Sequence, residues 1–257
     1  MPQFSANLTM LFTEADFMDR FERAARAGFS AVEYMFPYAY AVDQLVDRLG
    51  TNNLRQVLFN LPAGDWDKGE RGIALLPKRK GEFQDGVGRA ITYAKALGCP
   101  QVNCLAGLTP AVPVGKARDT LVENLRFAAG ELARTNIRLL VESLNTRDIP
   151  NFYLASTADV IALMKDVDHP NLFYQYDAYH MQVMEGNLTE TIRKNIGIIG
   201  HIQIADNPGR HEPGTGEINF ANLFRFIDEA GYRGFIGCEY KPLAKTEEGL
   251  DWIKPYL

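Results

Sequence analysis

The run Ala27-Gly28-Phe29-Ser30-Ala31-Val32-Glu33-Tyr34 joins the end of an amphipathic segment to a short apolar stretch. A similar run extends from Ala230-Gly231-Tyr232-Arg233-Gly234 to Cys238-Glu239-Tyr240, and Ala96-Leu97-Gly98-Cys99 followed by Val102-Asn103 is a looser copy. In each copy a helix is predicted to end at the glycine, which tolerates the left-handed conformation, and a strand begins within a few residues. Repeated helix–glycine–strand units predict βα repeats and therefore a parallel sheet.

Short β-rich runs alternate with longer helical patterns along the rest of the chain. The helical patterns place apolar residues on one face, as in the segment from Val87 to Leu97. The predicted strands are Gln3–Asn7, Ala31–Met35, Arg55–Asn60, Gln101–Leu105, Arg138–Glu142, Leu172–Asp177, His201–Ala205 and Phe235–Glu239. Eight units in 257 residues predict an α/β fold, a closed (β/α)8 TIM barrel that forms a single domain over residues 1–257. An open doubly wound sheet is the alternative, but no GxGxxG motif follows the first strand.

Composition and charge narrow the class of function. The chain carries 27 Lys+Arg against 32 Asp+Glu, a formal net charge of −5, whereas binders of nucleic acid or anionic membranes are usually basic. The 3 cysteines form no CxxC pair, and the N-terminal segment lacks the basic head and apolar stretch of a signal peptide. We therefore expect a cytoplasmic enzyme with a small-molecule substrate and no nucleic-acid or membrane partner; homo-oligomerisation stays open.

Polar side chains mark the ends of the last four predicted strands, at Glu142, Asp177, Gln203 and Glu239. Functional residues of TIM barrels gather at the C-terminal ends of the strands. The two-residue period of a strand predicts that these four side chains face the lumen at one depth. Three carboxylates there would repel one another unless they are protonated or a cation neutralises them. Oxygen ligands suit a hard divalent ion, so we expect Mg²⁺ or Mn²⁺.

Candidate substrate-binding residues lie on loops that follow predicted strands. The planar fork of arginine suits bidentate binding of a carboxylate, so Arg71 and Arg210, with Lys241 as a third cation, are candidate partners of an acidic substrate. Trp66 lies in the long loop from Leu61 to Gly81 and is a candidate for a lid or pocket wall.

Several stretches carry a family resemblance. Glu142, the run Gln175-Tyr176-Asp177-Ala178-Tyr179-His180, Gln203 and Glu239 resemble the metal site of the xylose-isomerase-like barrels, which include the ketose 3-epimerases. Longer stretches are similar to the hydroxypyruvate isomerase and 2-oxo-tetronate isomerase family and together cover essentially the whole chain: Phe4-Ser5-Ala6-Asn7-Leu8, Asn60-Leu61-Pro62-Ala63-Gly64-Asp65-Trp66, Gly69-Glu70-Arg71-Gly72-Ile73-Ala74, Gln203-Ile204-Ala205-Asp206-Asn207-Pro208 and Glu212-Pro213-Gly214-Thr215-Gly216-Glu217-Ile218.

This resemblance implies roles for individual residues. It implies that the four strand-end residues bind a divalent metal and that Glu142 and Glu239 also act as the acid/base pair. Its Asp-x-x-His pattern implies that His180 contacts a substrate oxygen. Asp148, six residues after Glu142, is a further candidate for a hydrogen bond to a substrate hydroxyl.

The activity implied by the resemblance is the isomerisation of small 2-oxo-hydroxy acids through a cis-enediolate. A base removes the proton from the hydroxyl-bearing carbon, and a proton returns to the former carbonyl carbon. A metal chelated by the carbonyl and the neighbouring hydroxyl would stabilise the developing enediolate. Three alternatives remain open: a ketose 3-epimerase on the same site, a metal-dependent hydrolase such as an abasic-site endonuclease, and a non-catalytic sugar-acid-binding protein.

Overall fold

In a computed structural model, which describes residues 1–110 and 113–256, eight parallel strands close into a barrel in chain order. The strands are β1 (Gln3–Asn7), β2 (Ala31–Glu33), β3 (Arg55–Asn60), β4 (Gln101–Cys104), β5 (Arg138–Glu142), β6 (Leu172–Asp177), β7 (Ile199–Ile204) and β8 (Phe235–Cys238). The α-helices are α1 (Arg20–Arg26), α2 (Val42–Thr51), α3 (Lys80–Leu97), α4 (Val114–Ala133), α5 (Thr157–Val167), α6 (Ala178–Met184), α7 (Leu188–Asn195) and α8 (Phe220–Glu229). The predicted (β/α)8 TIM barrel is confirmed.

Small differences in element bounds have local causes. β2 ends at Glu33 rather than at the predicted Met35, because the register with β3 shifts between Val32 and Glu33 and regular pairing stops there. The loop predicted to reach Gly81 ends earlier, since a 3₁₀ turn over Pro77–Arg79 leads into α3. Proline is well placed in such a first turn because its missing N–H would be unpaired there anyway.

The amphipathic helices pack as their sequence periodicity predicts. In α3, Val87, Ala90, Ala94 and Leu97 are buried, while Ile91 on the same face is half-buried. Burial of such an apolar face supplies most of the stability of a barrel helix. In the part of the chain that the structure describes, no helix is long and apolar enough to cross a membrane.

The strand register sets the depth of each polar side chain in the lumen. Asp177 on β6 pairs directly with Gln203 on β7, but Glu142 on β5 pairs with Gln175, two residues before Asp177. Because the strands of a closed barrel are staggered, register partners do not share one height along the barrel axis, so the expected single depth stays a prediction. Leu140 lies two residues below Glu142 in an apolar cluster, so the polar strand ends lie above an apolar layer.

Candidate active site

A cavity of about 870 Å³ opens at the C-terminal ends of the strands. Its volume falls within the range of ordinary small-molecule sites. The residues singled out from the sequence that line it are Trp66, Arg71, Glu142, Asp148, His180, Gln203, Arg210, Glu239 and Lys241. Asp177 is buried at the start of α6, where it contacts the side chains of His180 and Arg210.

Three buried carboxylates, Glu142, Asp177 and Glu239, form what we call the carboxylate ring. Two of them are held by amide groups on the neighbouring strands of the barrel. Asn103 Nδ2 on β4 donates to Glu142 Oε2 at 2.9 Å, and Asn7 Nδ2 on β1 donates to Glu239 Oε1 at 3.3 Å. These amides fix the orientation of both glutamates.

The third member, Asp177, holds its position by capping a helix. Its Oδ1 accepts hydrogen bonds from the backbone N–H groups of Tyr179 (2.8 Å) and His180 (3.3 Å), which are otherwise unpaired at the N-terminus of α6. Its Oδ2 is buried and has no hydrogen-bond partner among the described residues. An unpaired buried carboxylate oxygen is costly unless a ligand satisfies it.

Arg210 brings a positive charge into the carboxylate ring. Its Nη2 lies 2.8 Å from Glu239 Oε2 and 3.8 Å from Asp177 Oδ2. The loop that carries Arg210 is pinned by Asp206, whose carboxylate accepts hydrogen bonds from the backbone N–H groups of Asn207, Gly214, Gly216 and Ile218. Three carboxylates against one guanidinium leave an excess of two negative charges when all are ionised, which matches a divalent cation.

The titration of the glutamates reflects this crowding. Burial, reinforced by the negative charges of Glu239 and Asp177, raises the pKa of Glu142 well above its usual range. Burial also raises the pKa of Glu239 to about 8, even though the neighbouring Arg210 lowers it. Shifts of this kind are typical of carboxyl groups that carry protons during catalysis.

His180 is a buried, neutral imidazole with a defined proton position. Burial lowers the pKa of His180 to about 4. Its Nδ1 accepts from the backbone N–H of Asn145 at 3.0 Å, so the ring proton lies on Nε2. Nε2 is 3.6 Å from Asp177 Oδ2, and His180 is one of the residues that line the cavity.

The residues present fit a divalent ion. One potential ligand atom from each of Glu142, Asp177 and His180 lies within 4.8 Å of the other two, and among the described residues Glu239 is outside this group. Since His180 Nε2 carries the ring proton, oxygen atoms are the better donors here. The side-chain oxygen of Gln203 already accepts from Gln175 Nε2 at 2.6 Å and has a second lone pair. Such a donor set suits a hard cation.

Arg71 and Trp66 together form part of the cavity wall. The guanidinium carbon of Arg71 lies 3.9 Å from the centroid of the Trp66 ring, and its Nη1 donates to the backbone oxygens of Trp66 and Glu70. Phe36 packs against Trp66 with ring centroids 5.2 Å apart. With its face stacked on Trp66, the guanidinium group of Arg71 has an edge available to bind an anion in the cavity.

Two further predicted residues lie at the rim. Asp148 Oδ2 accepts from the Tyr179 hydroxyl at 2.8 Å and from Asn145 Nδ2 at 3.1 Å, which holds this exposed carboxylate over the cavity. Lys241 is exposed, and its backbone N–H donates to the Arg210 carbonyl at 2.7 Å. Lys241 therefore supports the Arg210 loop through its backbone.

Sequence reasoning missed four residues that build the site: Asn7, Glu33, Asn103 and Asp206. Asn7 ends the first predicted strand, so the rule that marked the last four strands would have marked it too, whereas Glu33 lies two residues before the predicted end of the second strand. Asn103 lies inside β4, and its contact with Glu142 spans 39 positions of the chain. A polar residue one position before a strand end carries no comparable local signal.

Comparisons with known proteins place the chain in a family. The family model described as xylose isomerase-like TIM barrel matches residues 21–256. Hydroxypyruvate isomerase of Escherichia coli strain K12 is 54% identical over 257 residues, covering 100% of both chains. A 2-oxo-tetronate isomerase of Cupriavidus necator is 47% identical and covers 100% of this chain and 99% of its own length.

A solved structure gives the same fold. The crystal structure described as AP endonuclease, family 2, from Brucella melitensis superposes with a TM-score of 0.98 at 46% identity, covering 100% of this chain and 99% of the other. The chain therefore belongs to the xylose isomerase-like TIM barrel family and, within it, to the group of the hydroxypyruvate and 2-oxo-tetronate isomerases.

Proposed function

We propose that this protein is an isomerase of small hydroxy-oxo acids, interconverting hydroxypyruvate and tartronate semialdehyde or a 2-oxo-tetronate and its 3-oxo isomer. The observation that carries the chemistry is the pair of buried glutamates, Glu142 and Glu239, whose pKa values are raised while both face one cavity. Full-length identity of 54% and 47% to isomerases of these acids supports the substrate class.

Proton transfer between adjacent carbons needs a group that accepts a proton and a group that returns one. One glutamate removes the proton from the hydroxyl-bearing carbon, and the electron pair moves to the carbonyl oxygen to give an enediolate. The other glutamate returns a proton to the former carbonyl carbon, while the hydroxyl proton is transferred to the second oxygen. We assign these roles to Glu142 and Glu239, with the direction left open.

The remaining residues bind and orient the acid. Arg71 is positioned at the cavity wall for the substrate carboxylate, with Lys241 as a second cation at the rim. Arg210 is already paired with Glu239, so we assign it first to charge balance within the carboxylate ring. The Nε2–H of His180 donates to a substrate oxygen, and Asp148 accepts from a substrate hydroxyl.

We propose Mg²⁺ or Mn²⁺ as the cofactor, held by the oxygens of Glu142, Asp177, Gln203 and Glu239. Asp177 Oδ2, which has no hydrogen-bond partner in the described part of the chain, and the two excess negative charges of the ionised ring support this assignment. When bound, the ion would polarise the substrate carbonyl and stabilise negative charge on the enediolate oxygens.

Proton NMR in D₂O tests the proposal directly. Hydroxypyruvate, both 2-oxo-tetronate enantiomers and a neutral ketose would be incubated with enzyme depleted of metal by a chelator and then resupplied with Mg²⁺ or Mn²⁺. We expect isomerisation or C–H exchange of an acid substrate that is lost on depletion and restored by the ion. Exchange of the ketose alone would indicate a 3-epimerase, and binding without exchange would indicate a binding protein.

The abasic-site hydrolase is disfavoured by charge. A DNA-binding surface is normally basic, whereas this chain carries a net charge of −5 and an acidic cavity floor. Cleavage of an abasic-site duplex by the metal-loaded protein, without turnover of any acid substrate, would overturn the isomerase assignment.

A further inference from the structure

We propose that Glu33 is a positioning residue that fixes the side-chain amide of Gln203, with its nitrogen on Glu33 and its oxygen on the side of Gln175 and the carboxylate ring. The inference rests on the proposed function, because Gln203 is one of the oxygen donors assigned to the divalent ion. Glu33 itself lies at the floor of the cavity, on the end of β2.

Both oxygens of Glu33 are saturated with hydrogen bonds. Oε1 accepts from Gln203 Nε2 at 2.7 Å and from Asn7 Nδ2 at 3.2 Å. Oε2 accepts from the Ser5 hydroxyl at 2.8 Å and lies 2.8 Å from His201 Nε2. A carboxylate offers about four acceptor positions, so Glu33 has none left for a substrate or an ion. This separates Glu33 from the carboxylate ring, where Asp177 Oδ2 is unpaired among the described residues.

The carboxylate of Glu33 decides which end of the Gln203 amide points away from it. An ionised carboxylate only accepts hydrogen bonds, so the group that faces it must be the NH₂ of Gln203. A flipped amide would set its carbonyl oxygen against Glu33 Oε1 and lose a charge-assisted hydrogen bond. The opposite end is then the oxygen, which receives Gln175 Nε2 at 2.6 Å. An amide nitrogen cannot ligate a hard cation, whereas an amide oxygen can.

The barrel provides space for this carboxylate at one position on β8. Gly237 pairs with Gln203 in the β7–β8 register, and a Cβ at position 237 would overlap both oxygens of Glu33. The glycine therefore lets Glu33 extend across the lumen to the strand that carries Gln203. Two independent changes, one at Glu33 and one at Gly237, should disturb the same amide.

The first test compares Mn²⁺ binding to the full-length protein, measured by electron paramagnetic resonance of free Mn²⁺. Glu33→Met keeps the bulk and removes both acceptors, and Gly237→Ala displaces the carboxylate without altering its charge. We expect each to weaken Mn²⁺ binding 10–100-fold, the usual effect of removing a group that orients a metal ligand. Glu33→Gln keeps one acceptor oxygen, so it should bind Mn²⁺ more tightly than Glu33→Met does. Glu123→Met makes the same change at an exposed glutamate on α4, so it is the matched control and should bind Mn²⁺ like the wild type.

A double-variant cycle separates orientation of Gln203 from general damage. In a Gln203→Leu background the amide is absent, so adding Glu33→Met should cause little further loss of Mn²⁺ affinity. Circular dichroism would check folding, and Gly237→Ala decides the question if Glu33→Met does not fold. If folded Glu33→Met and Gly237→Ala both bind Mn²⁺ with wild-type affinity, this inference is wrong while the proposed function stands. Equal losses of Mn²⁺ affinity in Glu33→Met and Glu33→Gln would have the same meaning. Failure of the wild type to bind Mn²⁺ or Mg²⁺ would overturn both the proposed cofactor and this inference.

Discussion

Two glutamates of the carboxylate ring, Glu142 and Glu239, and the Glu33 carboxylate are all buried in the barrel lumen, yet their pKa values shift in opposite directions. Burial raises the pKa of Glu33, but the adjacent His201 and the hydrogen bonds from Gln203 and Ser5 outweigh it and bring the pKa below its usual value. Burial and mutual repulsion instead raise the pKa of Glu142. Similar burial therefore gives opposite outcomes, because Glu33 is surrounded by hydrogen-bond donors and the imidazole of His201, whereas Glu142 faces two further carboxylates.

This difference separates a structural carboxylate from reactive ones. A buried charge with saturated hydrogen bonds is fixed in one protonation state and holds its neighbours in place. Buried carboxyls that lack compensation exchange protons near neutral pH or bind a cation, and both behaviours are useful in catalysis. The raised pKa values of Glu142 and Glu239 are therefore consistent with the proposed role of these residues in proton transfer, and the lowered pKa of Glu33 with a supporting role.

The largest expected effect is on turnover. Glu142→Gln or Glu239→Gln keeps the shape of the side chain but removes its capacity to accept a proton. We expect kcat for the acid substrate to fall about 10²–10⁴-fold, the usual contribution of general acid–base catalysis. Rates of isomerisation measured by proton NMR would check this. Glu123→Gln, which changes an exposed glutamate on α4, is the control and should retain the wild-type rate. A Glu142 or Glu239 variant that keeps more than about a tenth of the rate would remove that residue from proton transfer.

A smaller effect is expected on stability when the compensated carboxylate loses its partner. His201 is fully buried, and His201→Leu leaves Glu33 without the imidazole that faces its Oε2 at 2.8 Å. Removing one partner of a buried pair costs about 3–5 kcal/mol, so the free energy of unfolding in urea should fall by this order at pH 7. His201→Gln restores a donor and should recover part of the loss. A His201→Leu protein as stable as the wild type would show that the imidazole does not compensate the charge.

Most of the fold was predictable because the signals are local. The bounds of β1, β3, β5 and β6 agree with the predicted ones, since apolar runs flanked by polar or turn-forming residues mark a strand without reference to the rest of the chain. The bulge that ends β2 early depends on its register with β3, which no local pattern encodes. Tertiary pairing decided that boundary.

The candidate site was predictable only where a rule about strand ends applied. Glu142 and Gln203 were found because each is a polar residue at or near the C-terminal end of a predicted strand. The contact of Gln203 with Glu33 was missed, because it joins residues 170 positions apart. From the sequence we expected the carboxylates to be either protonated or neutralised by a bound cation, and Arg210 was a candidate for the substrate carboxylate. In the structure Arg210 contributes to the charge balance of the carboxylate ring, because the loop after β7 directs the Arg210 side chain onto Glu239. Loop conformation of this kind has no periodic signature in the sequence.

The smallest expected effect is a difference in pH dependence between the two kinds of carboxylate. In the metal-depleted protein the pKa of Glu239 is about 8, against an ordinary value of 4.5 in the unfolded chain. The stability from this raised pKa is fully present below pH 4.5 and is lost as the pH rises to about 8, because the unfolded chain releases its proton first. For Glu33 the sign is reversed: its lowered pKa contributes stability above pH 4.5 that is lost as the pH falls.

Urea unfolding of metal-depleted protein at pH 6 and pH 7 measures this contribution. One titrating group changes the free energy of unfolding by at most about 1.4 kcal/mol per pH unit, so the wild type should lose up to this amount more than Glu239→Gln does. Adding Mn²⁺ should reduce the difference, since a bound cation favours the ionised carboxylate in the folded state. Identical pH dependence of the two proteins would mean that Glu239 ionises normally in the folded barrel, and the contrast with Glu33 would then be confined to Glu142.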